Sequence, residues 1–236
     1  MKKYTLTKNK REYGGITLFQ IKAEMSFGNV SKGDSGGWIE KESNLSHENN
    51  AWVYGNARVY GDARVYGNAW VYGNARVYGN AEVYGDTMVY GNAEVYGDAW
   101  VYGDARVYGN ARVYGNARVY GNARVYGNAE VYGDTMVYGN AEVYGNAEVY
   151  GNAEVYGNAW VYGNARVYGK LKIIAGYFFG MRYNKEEIKY KENEGQELIY
   201  KGDAEFEDTE DKIKITVEGK DIYISKESAK TLNLIK

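Results

Sequence analysis

Residues 51–169 repeat the unit Ala-x-Val-Tyr-Gly-Asn/Asp without an inserted or deleted residue, and valine recurs every six positions from Val53 to Val167. A fixed short period means a repeat architecture, in which each unit buries its apolar face only against its neighbours. Six is neither a helical nor a heptad period. Val and Tyr favour strands, and Gly-Asn and Gly-Asp are turn pairs. Each hexad is therefore expected to be a short strand followed by a bend.

Side chains of a strand alternate between faces, so Ala and Val share one face while x and Tyr share the other. Over the twenty units x is Arg eight times, Glu six, Trp four and Met twice. Charges do not fill a narrow core. Ala57 and Val59 are expected inside, with Arg58 and Tyr60 outside. The Asn or Asp after each Gly suits a left-handed bend, which these residues tolerate better than other non-glycine types.

The string Val-Tyr-Gly-Asn-Ala-x resembles the hexapeptide repeat of left-handed parallel β-helices. That resemblance implies an all-β fold in which three hexads make one triangular coil of eighteen residues. The left hand comes from the resemblance alone, since generic chirality favours right-handed crossovers. Tyr after the aliphatic residue departs from the family pattern. Counting Ile173 gives about seven coils. The longer string GDSGGWIEKESNLSHENNAWVYGNA (residues 33–57) is similar to the opening segment of uncharacterised hexapeptide proteins of bacteria and their phages. It implies a phage or prophage accessory protein and brings no established activity.

The flanks divide the chain into residues 1–50, 51–183 and 184–236. In the first, Tyr4–Thr7 and Ile16–Ala23 read as strands joined by a polar turn over residues 8–15. KGDSGG (residues 32–37) reads as a loop; without a Walker lysine or a following helix it is no phosphate cradle. Ile39 and Leu45 read as inward residues of degenerate hexads, followed by a two-residue insertion within residues 47–50. At the far end Leu171, Ile173 and Phe179 continue the inward register. Tyr177, Phe178 and Phe179 are expected to close the core aromatically, because a bare last coil exposes strand edges. Residues 184–236 are Lys/Glu-rich and are expected to form a small β-rich domain. Its hairpins are 187–191 with 197–201 and 212–217 with 221–225, and a helix follows over 228–235.

Eighteen residues per coil stack position i on i+18. Opposite charges then adjoin at 64/82, 76/94, 94/112, 112/130, 124/142 and 148/166. Tyrosines form columns beside them. One apolar patch emerges: Trp52, Trp70 and Met88 beside Tyr54, Tyr72 and Tyr90. A contiguous exposed patch of this kind signals a contact. Residues 1–35, a host protein or a second copy of the chain are the expected covers.

The chain has 236 residues, net charge −2, no cysteine and no proline. That composition excludes disulfides and a cysteine metal site, and it gives no basic footprint for nucleic acid or anionic membrane. No apolar run follows residues 1–3, so a cytoplasmic protein without a membrane span is expected. His47 is the single histidine and precedes the regular coils. Acyltransferases of the resembling family use a histidine base, commonly beside a loop expelled from the helix, and no loop interrupts residues 51–169. No nucleophile elbow, metal cluster or cofactor motif is present. GDTMVYGNAEVYG occurs at 85–97 and again at 133–145. Eight hexads is not a whole number of coils, so the copies lie on different faces and the coils read as interchangeable. The expected function is a non-enzymatic scaffold or protein-binding module. An acyltransferase-like enzyme lacking the histidine loop, a nucleic-acid mimic and a carbohydrate-binding rod stay open.

Overall fold

The computed structural model describes residues 2–178 with their side chains. Beyond them it describes the strand backbones Met181–Arg182, Glu187–Tyr190, Leu198–Lys201, Glu205–Asp208, Lys212–Val217 and Lys220–Ser225. Position i pairs in parallel with i+18, as in Trp52↔Trp70 and Val53↔Val71, so the chain is a parallel β-solenoid with three hexads per turn. One column runs Val53, Val71, Val89, Val107, Val125, Val143, Val161, Phe178, which makes eight levels. The count exceeds the seven expected because residues beyond the last hexad pair onto the stack.

Every coil hydrogen-bonds to the next with an offset of seventeen residues. Arg76 N–H donates to the Ala93 carbonyl at 2.9 Å, Tyr78 N–H to Val95 at 3.0 Å, and Asn80 N–H to Gly97 at 2.8 Å. These bonds satisfy backbone groups that a narrow rod would otherwise expose. Inside, the Ala and Val of each hexad are fully buried. Thr87 and Thr135 take two of the inward Ala places, and each hydroxyl donates to a local tyrosine carbonyl, at 2.7 and 2.8 Å.

The bends depart from expectation. Glycine alone carries the left-handed backbone at them, for example φ 71° at Gly79, while the following Asn and Asp do not. Glycine is also sterically required, because a Cβ at Gly79 would come within 2.9 Å of the Gly97 nitrogen one coil on. The Asn serves a different purpose. Its amide donates to the bend residue eighteen positions on, as in Asn110 to Asn128 at 2.9 Å and Asn80 to Asp98 at 2.8 Å.

The outer ladders form largely as the column arithmetic requires. Arg112–Glu130 and Arg124–Glu142 lie at 3.2 Å, Arg166–Glu148 at 3.4 Å and Arg64–Glu82 at 3.8 Å. Arg76 pairs with Glu94, which also accepts from Tyr78, so Arg112 turns away from Glu94 to Glu130. Tyrosine rings stack at 4.7–5.2 Å and nearly parallel, from Tyr60–Tyr78 to Tyr144–Tyr162.

The N-terminal region differs in extent. β1 is Tyr4–Tyr13, longer than expected, and it runs to a two-residue turn at Gly14 and Gly15. β2 is Ile16–Ala23, antiparallel to β1 with an irregularity between Leu6 and Lys10. β3 is Ser35–Ile39, so the second half of KGDSGG is strand, not loop. Its glycines permit close packing: a Cβ at Gly36 would lie 2.4 Å from the Ile21 side chain and 2.7 Å from Trp52. Ile39 pairs with Val59 and Leu45 bridges Val65, both twenty residues apart, which is the two-residue insertion made visible.

At the other end the register slips by one. Trp160 faces Tyr177 and Val161 faces Phe178, with an irregularity between Val155 and Asn158. Phe178 is therefore the buried residue and Tyr177 is 67% exposed, correcting the expected inward Tyr177. The cause is the unit Leu171–Gly176, which has Ala175 where each hexad has glycine. The strand Lys172–Phe178 follows Glu154–Val161 around the corner with one residue fewer, Ile174 alone standing between the pairs Val155↔Ile173 and Asn158↔Ala175. Phe179 and residues 228–235 lie outside the described residues. The backbone of 187–190 pairs in parallel with 172–173 and antiparallel with 198–201, and 212–217 pairs with 220–225.

Two tests follow from this wall. Val113→Asp should cost about 4 kcal/mol or prevent folding, because it buries an unpaired charge in a core with no polar partner. Arg112→Ala should cost about 1 kcal/mol or less, since this pair is solvent-exposed. Equal melting shifts would reverse the inside/outside assignment. The second test concerns pH. Burial pushes the Tyr60 hydroxyl up to about 12. It pushes Tyr78, Tyr114 and Tyr126 higher still, helped by hydrogen bonds to Glu94, Glu130 and Glu142. The unfolded chain then releases tyrosine protons near pH 10 while the folded one keeps them, so stability is full below pH 10 and falls above it. Tyrosinate absorbance should rise together with loss of strand circular dichroism, in one cooperative step. A gradual rise with the fold intact would contradict the buried ladder.

Candidate functional site

The aromatic patch expected at the N-terminal end is real, but the structure divides it. Trp52 is fully buried. The tight turn over residues 27–30 is closed by reciprocal backbone bonds of Phe27 and Val30 at 2.9 and 2.8 Å. It sets the Phe27 ring edge-on to Trp52 at 5.3 Å, and Tyr4 approaches the same indole at 6.2 Å. The Tyr4 hydroxyl donates to the Leu45 carbonyl at 2.7 Å. The Lys3 ammonium donates to the Ala51 carbonyl at 2.8 Å and sits 4.9 Å over the Phe27 ring. These contacts pin the cap onto the first coil, and burial lowers Lys3 to about 8. Trp52 is thus core, covered from within the chain, and is not part of an accessible surface.

The rest of the patch lines a groove of about 610 Å³ between cap and coils. Tyr54, Trp70, Tyr72 and Met88 form its apolar wall, and Asn29, Asn50, Asn68 and Asp86 its polar side. Tyr90 does not line it but backs Tyr72 in a ring stack at 4.8 Å. Two local features open the space. The first is the 27–30 turn, which lays Gly28 beside Asn50: a Cβ at Gly28 would lie 3.4 Å from the Asn50 side chain. The second is Tyr54, which among the described residues makes no ring stack with Tyr72 and is 51% exposed. The polar side is preorganised. Asn50 donates to Asn68 at 3.2 Å, and Asn68 to Asp86 at 2.8 Å.

Of the residues singled out from the sequence, the structure brings Trp70, Met88, Tyr54 and Tyr72 to this groove; Gly28, Asn29, Asn50, Asn68 and Asp86 line it as well and were not singled out. Asn50, Asn68 and Asp86 were within reach, because they stack eighteen apart in the bend column beside the patch. The contribution of Gly28 and Asn29 depends on how the cap folds back, which no periodicity reports.

His47 occupies a second hollow, of about 350 Å³, with Glu42, Arg64 and Tyr66. Its ring stacks on Tyr4 at 4.2 Å, and Nδ1 accepts the Lys3 backbone N–H at 3.2 Å. The neutral ring therefore carries its proton on Nε2, which faces Glu42 Oε2 at 3.8 Å. Burial lowers the His47 pKa, against the opposing pull of Glu42. The lone pair a general base needs is spent on the backbone, so this histidine holds the cap in place. Among the described residues no group of three or more His, Cys, Asp or Glu could hold a metal ion. No helix among them is long and apolar enough to cross a membrane.

Comparison with known proteins agrees with the repeat reading. Residues 51–67, 57–73, 63–76, 69–85, 105–121 and 117–133 match the family described as YdcK Beta solenoid repeat. A relative named "Uncharacterized acetyltransferase YdcK", from Escherichia coli (strain K12), is 36% identical over 62 residues. The match spans 23% of this chain and 19% of the relative. The chain is similar to a β-solenoid repeat family through its coils.

Oxidative footprinting of the full-length protein should rank the tryptophans. Trp52 should be protected, Trp70 intermediate and Trp100, which is 38% exposed, labelled fastest. Equal labelling of Trp52 and Trp100 would mean that the cap does not cover the patch.

Proposed function

We propose that this protein is a non-enzymatic β-solenoid scaffold whose recognition surface is the groove between its N-terminal cap and first coils. The observation that carries the reading is the engagement of His47: the ring nitrogen free of a proton already accepts a backbone N–H. The rest of the wall supports it, since residues 51–169 run without an expelled loop and present repeated x and Tyr ladders. Interchangeable coils set length and spacing, while the groove, formed once by the cap, supplies identity. Whatever the scaffold recognises would meet the chain at this end.

The name of the Escherichia coli relative favours a second reading, acetyl transfer. The two separate in one assay. Purified full-length protein incubated with acetyl-CoA or succinyl-CoA and a panel of amines and hydroxyl acceptors should release no free CoA above background. Turnover that His47→Ala abolishes would replace the scaffold reading with an enzyme one.

A further inference from the structure

We infer that the groove binds an uncharged saccharide, a pyranose stacking its C–H face on Tyr72 with Trp70 and Tyr54 flanking it, and turning its hydroxyls to Asn29, Asn50 and Asp86. The inference rests on the reading of the groove as the recognition surface and names its ligand class.

Three features select that class. The first is the shape of the aromatic wall. Everywhere else in this column each tyrosine is covered by the next, as Tyr72 covers Tyr90 at 4.8 Å and Tyr90 covers Tyr108 at 4.8 Å. Tyr54 breaks the ladder, so the face of Tyr72 that its neighbour would cover is left to the groove, beside the half-buried Trp70. A ring face left open to a groove suits a ligand with a flat apolar face, and Tyr and Trp add polar tips.

The second is the hydrogen-bonding inventory of the opposite side. Asn50 spends its amide N–H on Asn68 and Asn68 spends one on Asp86 Oδ1. The Asn50 carbonyl oxygen and Asp86 Oδ2 keep acceptor capacity, and the Asn68 and Asn29 amides keep donors. Acceptors and donors alternate at one-coil spacing along the groove. Hydroxyls, each donor and acceptor at once, can satisfy both kinds of group in such a row.

The third is charge. Among the described residues Asp86 is the one acidic or basic side chain lining the groove, and it disfavours an anion. Arg106 pairs directly beyond Met88 in the adjoining column and disfavours a cation. A neutral ligand meets neither penalty. The volume, about 610 Å³, is in the range of small-molecule sites.

Binding is tested on the full-length protein by saturation-transfer NMR and calorimetry with three neutral oligosaccharides: maltohexaose, cellohexaose and hexa-N-acetylchitohexaose. At least one should bind. Trp70→Ala and Tyr54→Ala should each weaken it by about tenfold or more, the scale of a lost aromatic stack. Trp100→Ala, on another face, should leave it unchanged. Tyr54 is half-exposed and makes no ring stack, so its variant keeps the fold even where Trp70→Ala does not. Absence of binding to all three at millimolar concentration overturns the inference, as does equal weakening by Trp100→Ala, which would mean adsorption along the tyrosine ladders. Acetyl-CoA is then added to the bound sample. Acetylation of the sugar would leave the groove assignment standing and overturn the non-enzymatic reading alone.

Discussion

The backbone bond that reaches seventeen residues ahead is the constraint from which the rest of this structure follows. It fixes each coil directly over the one before, and it needs the two backbones to approach without a Cβ at the bend. Glycine at every sixth position meets that need: at Gly79 any side chain would meet the Gly97 nitrogen at 2.9 Å. Once the coils are held at this spacing, every outward residue acquires a fixed neighbour eighteen positions away. The ladders of Tyr, Asn and Arg/Glu are consequences of the register, and each returns a small stabilisation to it.

The ladders also have a direction. Where bend asparagines follow one another in a column, each donates toward the C-terminal end and accepts from the N-terminal side, as in Asn110 to Asn128 at 2.9 Å and Asn128 to Asn146 at 3.0 Å. An aspartate can receive that bond but cannot pass it on. Asp98 and Asp134 each end a run, accepting from Asn80 and Asn116. In the column of Asn50 and Asn68 the run ends at Asp86, with Asp104 as the next bend residue, so two carboxylates adjoin with no donor between them. The ladder thus terminates beside the groove, and an unspent carboxylate oxygen is left there.

Most of the fold was legible because the repeat is strict. Inward Ala and Val, outward Arg and Glu, the eighteen-residue column and the offset at residues 47–50 all follow from spacing and burial. The errors lie where spacing ceases to govern. The bend asparagines were assigned a backbone role, while their side chains hold the coils together. Gly36 and Gly37 suggested a loop, although they are strand residues made small by Ile21, Trp52 and Val53. The slip that buries Phe178 in place of Tyr177 follows from one missing glycine at position 175, a signal present but unweighted. For the site, the column arithmetic located the aromatic residues and could not see the cap. Trp52 left the surface because Phe27 and Tyr4, distant in sequence, fold over it.

The coil geometry ties length to orientation in this molecule. Gaining or losing three hexads changes the height by one strand spacing, about 4.8 Å, and leaves every face where it was. Gaining one hexad instead turns everything beyond it by a third of a revolution. The rod therefore behaves as an indexed shaft. A side chain on the coils beyond the change faces one of three headings relative to the groove, and unequal duplication of a six-residue unit can switch the heading while each Ala or Val that straddles the junction meets another Ala or Val in place of its former partner.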